Sequence, residues 1–193
     1  MLLSAVDFSH SLLKETVCTG DLVIDATVGN GSDTVLLATL VGPTGKVIGF
    51  DVQKQAVENT AQKLLLAGLT DQVTLLHQGH ETLADVLADN AKIGGAIFNL
   101  GYLPGSDKTI ITKKNTTIRA IEALLPKLRI GSYILLVVYS GHPGGMEEKK
   151  ALLDYCSSLN QSLFKVLQYG FINQINHPPF LIAIEKKKTP YTK

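Results

Sequence analysis

Two cysteines are all that the 193 residues contain, and Cys18 and Cys156 stand far apart with no ligand-like spacing. That excludes a disulfide framework and a thiolate metal site, and it reads as two inert buried thiols in a reducing compartment. Charge of one sign is missing too. The net charge is +1, so no global basic field announces a nucleic-acid partner and local patches must carry that case. Long hydrophobic runs are absent: the longest uninterrupted apolar stretch, "ILLVVY", falls far short of a membrane span. The opening "MLLSAVDFSHSLLKE" lacks a basic lead and a long apolar core and carries Asp7 and His10 inside it. There is no repeat, no low-complexity segment and no linker. The expectation is one soluble, cytoplasmic domain over 1–193, away from membranes and without a metal.

What is present is core-forming material in a regular order. The chain is 45% hydrophobic and 18% charged, enough to bury a sizeable core. "LLSAVDFSHSLLKETV" has helical spacing, "DLVIDAT" is a short apolar run, and "SDTVLLATLV" is helical again. "KVIGFDV" predicts a second strand and "KQAVENTAQKLLLAGL" an amphipathic helix ended by Gly68. "QVTLLHQ", "GGAIFNL" and "SYILLVVY" predict strands, and "ETLADVLADN", "TTIRAIEALLPKL" and "MEEKKALLDYCSSL" predict helices. "SLFKVLQYGF" and "PFLIAIEK" are strands with no helix between them. Alternating strands and helices imply parallel pairing with right-handed crossovers, and the solid apolar strands suit a sheet covered on both faces. The predicted fold is a doubly wound α/β sheet of seven mostly parallel strands, with a reversed terminal strand and helices on both faces. Ligands of such sheets sit outside the carboxyl ends of the strands.

Those ends carry the candidate residues. "VIDATVGNGSDT" closes the first strand with Asp25 and Thr27 and opens a helix through Gly29, Asn30, Gly31 and Asp33. Small residues there let the backbone approach a ligand, and the helix offers free N–H groups. The dinucleotide fingerprint needs a third glycine at position 34, which is Thr34, so a nicotinamide cofactor is disfavoured. Asp51 ends the second strand with Gln53 behind it, and a carboxylate there accepts both hydroxyls of a ribose. Together these fit a nucleoside whose far end is not a pyrophosphate. S-adenosylmethionine is the candidate, with Asp25 facing its ammonium. Asp33, in the first turn of a helix, equally suits a role toward the helix dipole.

After the fourth strand comes "NLGYLPGSDK". Asn99 has a carbonyl that accepts a hydrogen bond from an amine, the Leu100 backbone carbonyl offers another, and Tyr102 can stack on a flat ring. These are the features of a site that orients a nucleophilic nitrogen, and positioning supplies most of the gain in methyl transfer. The amine must also lose a proton, for which His10, His80, His142, His177 and Tyr102 all stand as candidates. "YSGHPGG" adds Tyr139 and His142 at the same sheet edge, and "NHPPF" adds Asn176 and His177, stiffened by Pro178 and Pro179. Lys113, Lys114 and Arg119, Lys127 and Arg129, Lys149 and Lys150, and Lys186 to Lys188 form basic clusters able to meet phosphates.

"DATVGNGSDT", "FDVQ", "FNLGYLPGSDK", "YSGHPGG" and "NHPPFLIAIEK" together resemble the small class I methyltransferases of the rRNA methylase family, over about Ser9 to Lys186. The segment after strand four often reads Gly-Gly-Asp-Lys in that family; here it is Gly105, Ser106, Asp107, Lys108. The resemblance implies a Rossmann-like class I methyltransferase fold, S-adenosylmethionine as donor and a tRNA anticodon stem-loop as acceptor. The reaction it implies is N-methylation of the 5-aminomethyl-2-thiouridine at the wobble position. It further implies a homodimer, cofactor contacts from Asp25, Gly29, Asn30, Gly31, Asp51, Gln53 and His80, an acceptor frame of Asn99, Leu100 and Tyr102, and loop or RNA contacts from Asp107 and Lys108. Methylation of rRNA or a small amine, and a non-catalytic cofactor-binding subunit, are the alternatives.

Overall fold

The structure is a computed structural model and describes residues 1–101, 111–176 and 178–188. Seven strands form one sheet: β1 (Leu22–Asp25), β2 (Lys46–Asp51), β3 (Val73–His77), β4 (Ile93–Leu100), β5 (Tyr133–Val138), β6 (Phe164–Tyr169) and β7 (Phe180–Lys186). Their order across the sheet is β3-β2-β1-β4-β5-β7-β6. The first five pair in parallel, and β7 runs antiparallel to both β5 and β6. The reversal follows from the missing helix between β6 and β7, since a short connection can only join antiparallel neighbours. This is the expected doubly wound sheet with one reversed strand.

Alternation along the strands divides the core in two. Val23, Ile97, Leu135 and Val137 face α1 (Ala5–Thr16), α2 (Ser32–Val41) and α3 (Lys54–Ala67). Ile24, Phe98, Leu136 and Val138 face α4 (Leu83–Val86), α5 (Lys114–Leu124) and α6 (Gly145–Ser158). A period of two places neighbours on opposite faces, so strands covered on both sides must be apolar throughout. Residues 93–98 of β4 are accordingly all buried, whereas the edge strand β6 is largely exposed. Phe50 and Phe98 are fully buried, and truncating either would cost about 3–5 kcal/mol.

Local signals set the helix ends. The Ser4 hydroxyl accepts the Asp7 N–H at the start of α1, and Gly68 adopts a left-handed φ of 67° to end α3, as expected. The helix expected over "ETLADVLADN" shrinks to a 3-10 turn, His80–Thr82, and the four residues of α4. Its apolar stripe, Leu83, Val86 and Leu87, spans a single turn, and Asp89 and Asn90 favour turns. Cys156 is buried as expected; Cys18 is exposed, next to the guanidinium of Arg129.

Three residues read as phosphate contacts serve the fold instead. Arg129 bridges the Thr16 carbonyl (2.7 Å) and Asp21 Oδ2 (2.9 Å), and Lys127 donates to the carbonyls of Ala88 and Asp89. Lys186 is 3% exposed, and its ammonium caps the end of α5 through Pro126 O at 2.8 Å and Leu125 O at 3.2 Å. Lys186→Met keeps the stem and removes the cap. It is expected to lower the unfolding free energy by about 1–3 kcal/mol in urea titrations, and a loss under about 0.5 kcal/mol would show that the ammonium does not hold α5.

Candidate active site

The sheet order reverses between β1 and β4, so the crevice at their carboxyl ends is the place for a ligand. The chain leaves β1 through Thr27 to Gly31 and enters α2. This loop is held from β2: Val28 N–H donates to Phe50 O (3.0 Å), and Gly29 N–H donates to Asp51 Oδ2 (2.8 Å). The other Asp51 oxygen accepts the Gln53 N–H at 2.8 Å. Gly31 has φ 77°, and a methyl group there would lie 2.5 Å from Thr60 Oγ1, so backbone and space both require glycine.

A cavity of about 750 Å³ opens over this turn. Thr27, Gly29, Asn30, Asp33, Asp51, Gln53, His80, Asn99 and Tyr139, all candidates from the sequence, line it. Glu81, Thr112 and Thr116 line it as well and were not read from the sequence. The last two stand just before and within the first turn of α5, on the same sheet edge, and their position after a strand end was the available signal.

Asp25 departs from expectation. It is fully buried behind the cavity wall, where its carboxyl accepts Thr34 Oγ1–H (2.6 Å) and the Thr27 N–H (3.2 Å). Burial, and then the charge of Asp33, push it from 3.8 to about 7. The acids that line the cavity are Asp33, Asp51 and Glu81.

His80 is buried at the cavity edge, with Phe98 at 5.5 Å between ring centroids. Its Nδ1 donates to the Ala26 carbonyl at 3.0 Å, because a carbonyl can only accept. That leaves Nε2 as a bare acceptor with no partner among the described residues. Burial lowers its pKa and keeps the ring neutral.

At the end of β4, the Asn99 N–H donates to Thr27 Oγ1 at 2.7 Å and its Nδ2 donates to Asp33 Oδ2. The other Asp33 oxygen lies 2.7 Å from His10 Nε2. The Leu100 carbonyl is already engaged by the Tyr139 N–H at 2.9 Å, and Leu100 is fully buried outside the cavity lining. Burial, and then the charge of Asp33, raise the pKa of the Tyr139 hydroxyl. Gly31, His142 and Asn176 do not line the cavity: Gly31 is packed against Thr60, His142 donates from Nδ1 to its neighbour Pro143 O, and Asn176 is exposed in the β6–β7 connection. Tyr102, Asp107, Lys108 and His177 lie outside the described residues. Among the described residues no group of three His, Cys, Asp or Glu side chains could hold a metal ion, and no helix is long and apolar enough to cross a membrane.

Comparison with known proteins gives a consistent set of relatives. The family model described as "Putative rRNA methylase" matches residues 47–185. A chloroplastic protein of Arabidopsis thaliana, named a tRNA (mnm(5)s(2)U34)-methyltransferase, is 35% identical over 191 residues, covering 95% of this chain and 70% of that protein. A crystal structure described as that of a "putative rRNA-methylase" from Clostridium thermocellum has a TM-score of 0.93 at 41% identity, covering 96% of this chain and 99% of that one. A protein from Streptococcus mutans described as "a putative methyltransferase", solved in complex with SAH, has a TM-score of 0.88 at 41% identity over the same shares.

The buried carboxyl gives a signed pH prediction. The folded state holds the Asp25 proton up to about pH 7, whereas the unfolded chain releases it near 3.8. Between these values the folded state binds more protons, so Asp25 removes stability as the pH rises. Asn does not titrate. The stability of Asp25→Asn relative to wild type is expected to rise by about 3–4 kcal/mol from about pH 4 to about pH 8, read by urea unfolding at each pH. A flat difference would show that Asp25 ionises alike in both states.

Proposed function

Because the chain belongs to the family described as "Putative rRNA methylase" and is an S-adenosylmethionine-dependent methyltransferase, we propose that it methylates RNA on an exocyclic nitrogen. The acceptor in this reading is the aminomethyl group of 5-aminomethyl-2-thiouridine at the tRNA wobble position, and the product is the 5-methylaminomethyl form. The observation that carries the reading is Asn99, an amide lining the cavity at the carboxyl end of β4, beside the point where the sheet order reverses. The 35% identity to the plant enzyme named for this reaction supports the choice of acceptor.

The cavity fits the donor. Asp51 keeps acceptor capacity for two ribose hydroxyls beyond its two backbone bonds. The unpartnered Nε2 of His80 would accept an amino N–H of adenine. The glycine turn leaves the N-terminus of α2 without a side-chain cap, open beside the ligand. Asp33, rather than Asp25, supplies the carboxylate within reach of the ammonium. When bound, S-adenosylmethionine supplies an electrophilic methyl group on a sulfonium that leaves as a neutral thioether. Asn99 accepts an N–H of the entering amine and holds its nitrogen at the end of β4, which is positional catalysis. Withdrawal from water favours the neutral, nucleophilic amine.

The whole chain acts as one domain, in the cytoplasm, with a second copy completing the grip on an anticodon stem-loop. Lys113 lines the cavity and Lys114 follows it, so phosphates beside a splayed-out base would meet these cations.

The test is incubation with labelled S-adenosylmethionine and bulk tRNA from a strain lacking the gene, followed by nucleoside mass spectrometry. A methyl on the aminomethyl nitrogen is expected. Incorporation only into ribosomal RNA or a small amine would replace the acceptor, and SAH binding without any product would make this a binding subunit. Asn99→Ala is expected to keep SAH affinity within about threefold while losing about 100-fold or more in turnover. Asp51→Ala is expected to weaken SAH binding first, by about tenfold or more. Equal loss of both properties in Asn99→Ala would make Asn99 a cofactor residue.

A further inference from the structure

We infer that His10 and Asp33 form a positioning chain that locks the Asn99 side-chain amide with its nitrogen turned away from the acceptor and its carbonyl left for it. The inference rests on the proposed N-methyl transfer and adds residues that act on Asn99.

Asp33 sits in the first turn of α2 and uses both carboxylate oxygens. Oδ1 meets His10 Nε2 at 2.7 Å, and Oδ2 meets Asn99 Nδ2. An ionised carboxylate only accepts, so both partners must donate. This requirement decides the amide orientation of Asn99, which is otherwise a matter of assignment. A reversed amide would press two acceptors together. It also decides the tautomer of His10, whose proton must sit on Nε2.

One Nδ2 hydrogen is committed to Asp33, and Oδ1 is the acceptor atom that Asn99 has left, with no hydrogen bond among the described residues reaching it. The Asn99 backbone is tied to Thr27 Oγ1 at 2.7 Å, so side-chain torsion is the freedom that remains, and Asp33 removes it. The consequence is an acceptor held in place for a group carrying an N–H.

Asp33 alone would suit the dipole of α2. That role needs no partners, yet it has two, drawn from α1 and β4 on either side. His10 does not line the cavity, and its side chain is 24% exposed at the surface. It reaches the reaction only through Asp33, which makes it a positioning residue and the cleanest place to test the chain.

Turnover on tRNA and SAH affinity are measured for His10→Leu and His10→Gln, each alone and combined with Asn99→Ala. Gln can donate from nearly the same place and Leu cannot. His10→Leu is expected to lower kcat by about tenfold with SAH affinity and melting temperature little changed, and His10→Gln to recover to within about threefold of wild type. In the Asn99→Ala background, His10→Leu should change the residual turnover by less than about twofold, because the residue it acts through is gone. Unchanged kcat in His10→Leu, absence of rescue by Gln, or a full effect in the Asn99→Ala background would each overturn the inference. A readout independent of activity is the Asn99 side-chain amide in 15N-labelled, SAH-bound protein. Its protons should exchange slowly with water in wild type and His10→Gln, and faster in His10→Leu. If wild type methylates no tRNA, the proposed acceptor fails, and exchange that is the same in all three proteins would overturn the positioning chain on its own.

Discussion

Asp25 is wholly buried and yet polar, and its carboxyl reaches in two directions: to the Thr27 N–H that starts the turn after β1, and to Thr34 Oγ1 in the first turn of α2. These two bonds clamp the end of a strand to the beginning of a helix. Between them the chain must pass through Gly29, Asn30 and Gly31 in a tight loop, two of whose residues have positive φ. Asp33 is carried to the cavity by the same turn, and Thr27 is placed to receive the Asn99 N–H. If the clamp loosens, the loop, the acid and the asparagine lose their common frame, because each is located by the one before it.

The cost of this arrangement is electrostatic. Asp25, Asp33 and Asp51 converge on one crevice, and burial with mutual repulsion holds the innermost of them toward the protonated form. The other two are stabilised by donors: His10 and Asn99 for Asp33, the Gly29 and Gln53 amides for Asp51. A crevice with acceptors at its rim and a protonated acid behind it suits a cationic ligand such as a sulfonium bearing an ammonium. The unpartnered nitrogen of His80 extends the same acceptor character to the far side. Polar groups left unpaired at a cavity edge are expensive unless something occupies them, which is why such atoms point to a ligand.

Much of the fold was legible because it rests on local periods. Strand and helix alternation, the Gly68 stop of α3 and the antiparallel return of β7 each follow from a short stretch of chain. The region after β3 was less legible: "ETLADVLADN" has helical spacing, but its apolar stripe is too narrow to sustain more than a turn. Of the candidate site, the glycine loop, Asp51, His80 and Asn99 were readable because strand ends are where ligands sit. Leu100 was readable as a strand-end position, but the bond its carbonyl accepts from the Tyr139 N–H joins β4 to the segment after β5 and was not readable.

By itself the sequence determined the order of elements, the reversed last strand and the set of polar residues delivered to one edge of the sheet. Those depend on spacing within a few residues. Only the tertiary structure decided which acid faces the cavity, and it chose Asp33 over Asp25. It also joined His10 to Asp33 across 23 positions and Asp33 to Asn99 across 66, and withdrew Lys127, Arg129 and Lys186 into the fold. The physical reason is the same in each case. A hydrogen-bond partner is selected by how helices lie on the two faces of the sheet, and that packing brings together groups whose separation along the chain carries no signal of their meeting.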